Sequence, residues 1–159
     1  MNIRAIIWDW GRTLYESDQK VELPEAEEVL KYCKLKGYRM AAVSKAGTKT
    51  LTDAPSTVDV PERYEQMERS PLRKFFEAVY VTDQDKSEFF DRAAADLNLP
   101  RGQILLVGDR VKREIAYANL HGHPSIWIQR GKFAHEIPDE ETGQPTYTVK
   151  SLSEIIKII

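Results

Sequence analysis

Five short apolar runs, separated by amphipathic stretches, constrain this chain more than any other feature. They are Ile3–Trp8, Arg39–Val43, Ala78–Val81, Ile104–Val107 and Ser125–Ile128. Each is apolar at nearly every position and is bounded by polar residues or glycine. Strands buried on both faces of a parallel sheet read this way, because neither face meets water. The stretches between them carry helical periodicity. Ala26, Val29, Leu30 and Cys33 share one face, after Pro24 and the acidic Glu25, Glu27 and Glu28, with Gly37 as a terminator. Phe89, Phe90, Ala93, Ala94 and Leu97 form a second stripe that stops before Pro100. Ile115, Ala118 and Leu120 form a third that ends near Gly122, and a last short helix covers Leu152–Ile158. Strand-helix alternation of this kind implies an α/β fold with a parallel sheet covered on both faces.

The 159 residues fit one domain, 1–159, with a core large enough to need no staples. The single cysteine, Cys33, excludes an internal disulfide framework and fits a reducing compartment. A net charge of -2 gives no sign of a nucleic-acid-binding surface. The apolar run before Asp9 is too short for a signal-peptide core or a membrane span, so a soluble, cytoplasmic protein is expected, with no membrane partner. Two stretches lack periodicity. Thr48–Val60 reads as a loop or broken helix. Arg130–Thr146, with Gly131, Pro138, Gly143 and Pro145, reads as a long surface loop.

In an open parallel sheet, ligands bind at the carboxyl ends of the strands. The first run is followed by Asp9-Trp10-Gly11-Arg12-Thr13, the second by Ser44 and Lys45, and the fourth by Gly108 and Asp109, with Glu114 five residues on. Lys86 starts the helix after the third run. A carboxylate, a hydroxyl, an ammonium and two further acids gathered at one sheet edge suit phosphoryl transfer with a divalent cation. Asp9 is the candidate nucleophile. Asp9, the Gly11 carbonyl and Asp109 are candidate Mg²⁺ ligands, with Glu114 holding a bound water or simply solvated on its helix. Ser44 and Lys86 are candidate contacts for the phosphoryl oxygens, and Lys86 also for the nucleophile. Arg12, Thr13 and Lys45 are candidate substrate contacts. Trp8 reads as core, and Trp10 as core or as a roof over the site. His121, His123 and His135 form no ligand pattern.

These pieces, in this order, resemble the haloacid dehalogenase-like (HAD) hydrolase superfamily. The resemblance rests on Ile-Ile-Trp-Asp9-Trp-Gly-Arg-Thr13-Leu, Ala-Ala-Val-Ser44, Asp-Lys86-Ser-Glu-Phe-Phe and Leu-Leu-Val-Gly-Asp109-Arg-Val-Lys-Arg-Glu114-Ile. It implies a three-layer Rossmann-like fold with strand order 3-2-1-4-5 and an Mg²⁺-dependent aspartyl-phosphate mechanism. With only one helix and one strand fitting between Asp9 and Ser44, no cap domain is expected. An open site of that kind, in this superfamily, often serves a macromolecular phosphorylated substrate or a partner that completes it; Arg130–Thr146 is a candidate partial lid.

The chain departs from the family pattern at one chemically important position. Family phosphatases carry a second aspartate two residues after the nucleophile, which protonates the leaving group and then activates water. Here that residue is Gly11, and the next, usually glycine, is Arg12. A positioned acid or base contributes about 10²–10⁴-fold in rate. Slow turnover of simple monoesters is therefore expected, with acyl and aryl phosphates less affected. The alternative is a catalytically weak or inactive HAD fold kept for binding or regulation. Arg12 either contacts substrate or pairs with Asp9 or Asp109, and Arg110 stands where a small polar residue is usual.

Overall fold

The computed structural model describes residues 1–48 and 57–159. Its centre is β1 (Ala5–Asp9), buried at all five positions. A small antiparallel hairpin follows, β2 (Tyr15–Glu16) and β3 (Val21–Glu22), and then α1 (Ala26–Leu35) and β4 (Arg39–Lys45). Then come α2 (Val60–Arg69), β5 (Ala78–Thr82), α3 (Ser87–Leu97) and β6 (Ile104–Gly108). A π turn over Val111–Ile115 leads into α4 (Ala116–His121). The chain closes with β7 (Ser125–Ile128), β8 (Tyr147–Val149) and a 3₁₀ helix over Leu152–Lys157.

The main sheet has the order β5-β4-β1-β6-β7-β8, and every pairing in it is parallel. Counting its strands along the chain, this is the expected 3-2-1-4-5 with a sixth strand added at the edge. That strand was not legible in the sequence, because Tyr147 and Thr148 are exposed and only Val149 is buried. The rest of Arg130–Thr146 is irregular, as expected, but it is fastened down. Asn119 donates to the carbonyls of Thr142 and Gln144 (2.8 and 3.0 Å), and Glu136 is buried.

Alternation along the strands builds the two helical layers. Ile6, Trp8, Met40, Ala42, Leu105 and Val107 face a core shared with Val29 and Leu30 of α1, Met67 of α2 and Leu152 and Ile155. Ala5, Ile7, Ala41, Val43, Ile104 and Leu106 face Phe90, Ala93 and Leu97 of α3 and Tyr117 and Ala118 of α4. Burying each large apolar side chain contributes roughly 1.5–3 kcal/mol, so the two cores lock the register of β1 between β4 and β6. Cys33 is a core residue, its thiol pushed up to about 12 by burial. Trp10 is fully buried and stacks on Tyr15 at 5.3 Å between ring centroids, so it packs the core and does not roof the site. Leu120 points to solvent, so the third stripe is shorter than its sequence suggests.

Two further elements differ from the sequence expectation. Of the irregular stretch Thr48–Val60, residues 49–56 lie outside the described residues. From Val60 the chain is helical, with the Asp59 side chain accepting from the Glu62 amide at 3.0 Å and a proline in the first turn. Half of α2 is charged, which hides its period. The third helix opens as a π turn, with the Ile115 amide donating to the Arg110 carbonyl at 3.3 Å. Such widened turns occur often at functional sites.

The end of β6 is tightly filled. A Cβ on Gly108 would lie 2.4 Å from Cγ of Glu114 and 2.8 Å from its Cδ. Glu114 is buried and held by an ion pair, so it cannot swing aside. Gly108→Ala is expected to destabilise the fold by about 1–3 kcal/mol through overpacking, read as a lower midpoint in urea denaturation.

Candidate active site

Strand register brings the candidate residues together. Asp9 lies opposite Val43 in β4, and Trp8 opposite Val107 in β6. Asp9, Ser44 and Asp109 therefore stand at the carboxyl ends of three adjacent strands. Lys86 reaches them from the start of α3, and Glu114 from the π turn.

Asp9 is 5% exposed and is held at both oxygens. Lys86 Nζ donates to Oδ1 at 2.7 Å and Thr13 Oγ1 to Oδ2 at 2.8 Å. Lys86 Nζ also donates to Glu114 Oε1 at 2.8 Å. Burial disfavours charge on Lys86, but the carboxylates of Asp9 and Glu114 outweigh it, and its pKa is raised. Burial likewise works against an ionised Asp9, yet Lys86, the Thr13 hydroxyl and Arg113 hold its pKa below the ordinary value. Asp9 is thus an ionised carboxylate at the floor of the site, fixed in orientation.

Asp109 differs. It is 2% exposed, and its Oδ2 is buried with no partner among the described residues. Burial, then repulsion from Asp9 and Glu114, pushes its pKa up to about 8. Its backbone is fixed by Trp127, whose Nε1 donates to the Asp109 carbonyl at 3.1 Å. Glu114 also carries a buried oxygen, Oε2, without a partner among the described residues. One carboxylate oxygen from each of Asp9, Asp109 and Glu114 lies within 4.8 Å of the others. Three clustered carboxylates, two of them with a buried oxygen that has no partner among the described residues, fit a hard divalent cation, which would relieve their repulsion.

A cleft of about 410 Å³ opens above Asp9 and Asp109. Six cationic side chains line it, Arg12, Lys45, Arg63, Arg110, Arg113 and Lys132, against the carboxylates of Asp9, Asp18 and Asp109. The loop after β7 forms one wall through Lys132 and Phe133. The Arg110 guanidinium lies 3.6 Å from the centroid of the Phe133 ring and that of Arg12 lies 5.1 Å from it. Arg110 also pairs with Glu136 at 2.6 Å, and Glu136 accepts from the Lys112 amide at 3.0 Å.

Residues 85–155 match the family described as HAD-hydrolase-like. The chain is 25% identical over 143 residues to a glyceraldehyde 3-phosphate phosphatase of Pyrococcus furiosus, covering 87% of this chain and 54% of that protein. A second such phosphatase, from Methanocaldococcus jannaschii, is 27% identical over 103 residues, with 62% and 44% covered. The chain thus spans about half the length of the curated relatives it matches. Among solved structures, an uncharacterized protein from Listeria monocytogenes superposes with a TM-score of 0.76 at 18% identity, covering 98% of this chain and 96% of that one. A HAD phosphatase from Thermococcus onnurineus superposes with a TM-score of 0.77 at 13% identity, covering 98% and 97%. The chain thus matches the HAD-like hydrolase family over residues 85–155, and over nearly its whole length it has the fold of the HAD phosphatase.

Within this HAD fold the predicted residues occupy different depths. Asp9, Gly11, Arg12, Lys45 and Asp109 line the cleft. Ser44 and Lys86 are buried directly beneath it. Thr13 was expected to touch substrate, but it is fully buried with its hydroxyl on Asp9, so it positions the nucleophile from behind. Glu114 is not a solvated helix residue but the buried partner of Lys86. Arg12 makes no ion pair with a described carboxylate; it lies against Phe133 with its backbone in the left-handed region (φ 61), a conformation disfavoured for a residue with a Cβ. Sequence reasoning missed Arg63, Arg113, Lys132 and Phe133. Arg63 lies on a helix whose period is masked by charge; Arg113 follows β6, and Lys132 and Phe133 follow β7, in segments where no periodicity marks which residues face the cleft.

The raised pKa of Asp109 fixes a sign. Its folded pKa lies above its unfolded value, so the folded form holds the extra proton. Stability from this group is present below about pH 4 and is lost as pH rises through about 8. In chelator, Asp109→Asn is therefore expected to be more stable than the native chain at pH 9, with the gap closing towards pH 4, as followed by thermal unfolding across pH.

Proposed function

We propose that this HAD-superfamily chain is an Mg²⁺-dependent phosphohydrolase or phosphotransferase that works through an aspartyl-phosphate at Asp9. The observation that carries this reading is the Asp9 carboxylate itself: ionised, clamped by Lys86 and Thr13, and placed on the floor of a cationic cleft. The named phosphatases among its relatives support the reaction class.

Asp9, Asp109, the Gly11 carbonyl and, through water, Glu114 would hold the cation. Bound there, it would neutralise charge on the phosphoryl group and polarise it toward attack. The protein's own part is positional and electrostatic. Lys86 and Thr13 hold the carboxylate so that one oxygen faces the cleft. That oxygen attacks phosphorus, the bond to the leaving oxygen breaks, and an acyl phosphate forms on Asp9. Ser44 and the cleft cations take up charge on the phosphoryl oxygens. Water then attacks phosphorus, releasing phosphate and restoring the carboxylate; a phosphotransferase would deliver the group to an acceptor instead.

Gly11 brings no side chain to protonate the leaving oxygen. The preferred substrates are thus acyl and aryl phosphates, whose leaving groups depart as stable anions. Among the described residues, only the β2–β3 hairpin and α1 lie between β1 and β4, which leaves the cleft open enough for a phosphorylated macromolecule.

The test is thermal unfolding with Mg²⁺ and beryllium fluoride, a mimic of the acyl phosphate. The native chain is expected to gain several degrees in Tm only when both are present, and Asp9→Asn is expected to gain nothing. The absence of a shift in the native chain would favour the inactive, binding or regulatory form of the fold that the missing second acid also suits.

A further inference from the structure

The reaction proposed above gives the cleft cations one collective part, and one of them differs from the rest in being buried. Arg63, in the first turns of α2, is 7% exposed. Among the described residues no carboxylate lies within 4.0 Å of its guanidinium. Its Nε donates to Gln66 Oε1 at 3.0 Å, and its Nη1 to Ser44 Oγ at 2.8 Å and, more weakly, to the Lys45 carbonyl at 3.4 Å. Its Nη2 makes no hydrogen bond to a described residue. Taking a guanidinium out of water without a directly paired carboxylate is costly. Arg63 nonetheless lines the same cleft as Asp9 and Asp109.

Its place in the cleft is specific. A Cβ on Gly11 would lie 3.5 Å from Arg63 Nη1 and 3.3 Å from Ser17 Oγ. The guanidinium thus stands beside the residue at which the family pattern has its second carboxylate. A carboxylate there would pair directly with Arg63; with glycine, its charge is met at longer range by Asp9. The bond to Ser44 has a further effect. Ser44 Oγ accepts from Arg63, so its own hydrogen is left to donate to a ligand.

Building on the proposed phosphoryl-transfer reading, we infer that Arg63 is a phosphoryl-binding residue, contacting oxygens of the transferred group from the flank that Gly11 leaves open and presenting the Ser44 hydroxyl to the same group. A planar, permanently charged fork suits this task. Arg63 has no proton to give near neutral pH, so it stabilises charge without replacing the missing acid. This matches a site restricted to leaving groups that need no protonation.

The test is titration calorimetry of inorganic phosphate into the full chain with Mg²⁺, comparing the native protein with R63K and R63Q. R63Q retains a donor for Ser44 but no charge; R63K retains the charge. Phosphate should bind R63Q about 10–100-fold more weakly than the native chain, the loss of a charge-assisted contact, and R63K within a few-fold of it. Equal binding by R63Q and the native chain would overturn the role of Arg63 while leaving the Asp9 reading intact. No phosphate binding by the native chain would overturn both. Should R63Q fail to fold, the native chain still decides. The Arg63 side-chain Nε–Hε resonance, assigned with R63K, must shift on phosphate binding, and an unmoved resonance refutes the contact.

Discussion

A single ammonium group ties this site together. Lys86 Nζ is fully buried and lies 2.7 Å from Asp9 and 2.8 Å from Glu114. It therefore joins the end of β1, the start of α3 and the π turn after β6 at one point. Removing one partner from such a buried cluster costs about 3–5 kcal/mol, because the others are left charged and unsolvated. The arrangement is thus a weak source of net stability but a strong constraint on geometry. It fixes the rotamer of Asp9 before any ligand arrives, and it uses Glu114 to do so. Gly108 is the steric counterpart, since only a residue without a Cβ leaves room for Glu114 beneath the strand end.

Charge in the cleft is distributed unevenly by depth. The carboxylates of Asp9, Asp109 and Glu114 crowd the floor, while arginines and lysines line the walls. On the floor, burial and then repulsion from Asp9 and Glu114 raise Asp109 to about 8. On the walls, cations favour an anionic ligand and neutralise charge that develops on it. The loop after β7 contributes to both levels. Glu136 holds Arg110, and Phe133 supports Arg110 and Arg12. The substitutions that set this chain apart from the family pattern, Gly11 and Arg12, both fall where the cationic wall meets the nucleophile.

The sheet and the strand-end residues were legible in the sequence for a simple reason. Buried parallel strands are apolar throughout, so Ile3–Trp8 and Ile104–Val107 announce themselves, and whatever follows them must lie at the carboxyl edge. The resemblance to the HAD superfamily then gave those residues roles. What escaped was the part whose pattern is polar or irregular. Half of helix α2 is charged and only Arg63 and Met67 are buried in it, so Arg63 had no visible face. Strand β8 buries only Val149. The π turn shifts Glu114 inward by one residue's worth of winding, which an ordinary helical wheel places differently. Thr13 was assigned to substrate because it is polar and near Asp9. Only the fold shows that its hydroxyl is spent on the Asp9 carboxylate.

The central claim is that Asp9 is the atom-donating nucleophile of a phosphoryl-transfer reaction. Borohydride reduction tests it most directly. An acyl phosphate on an aspartate is reduced to homoserine, whereas a free carboxylate is not. The native chain would be incubated with Mg²⁺ and an aryl phosphate, quenched, reduced and mapped by mass spectrometry. Homoserine at position 9, absent without the phosphate ester, is the predicted result. Measurable turnover with no modification at position 9, or with homoserine at another aspartate, would contradict it.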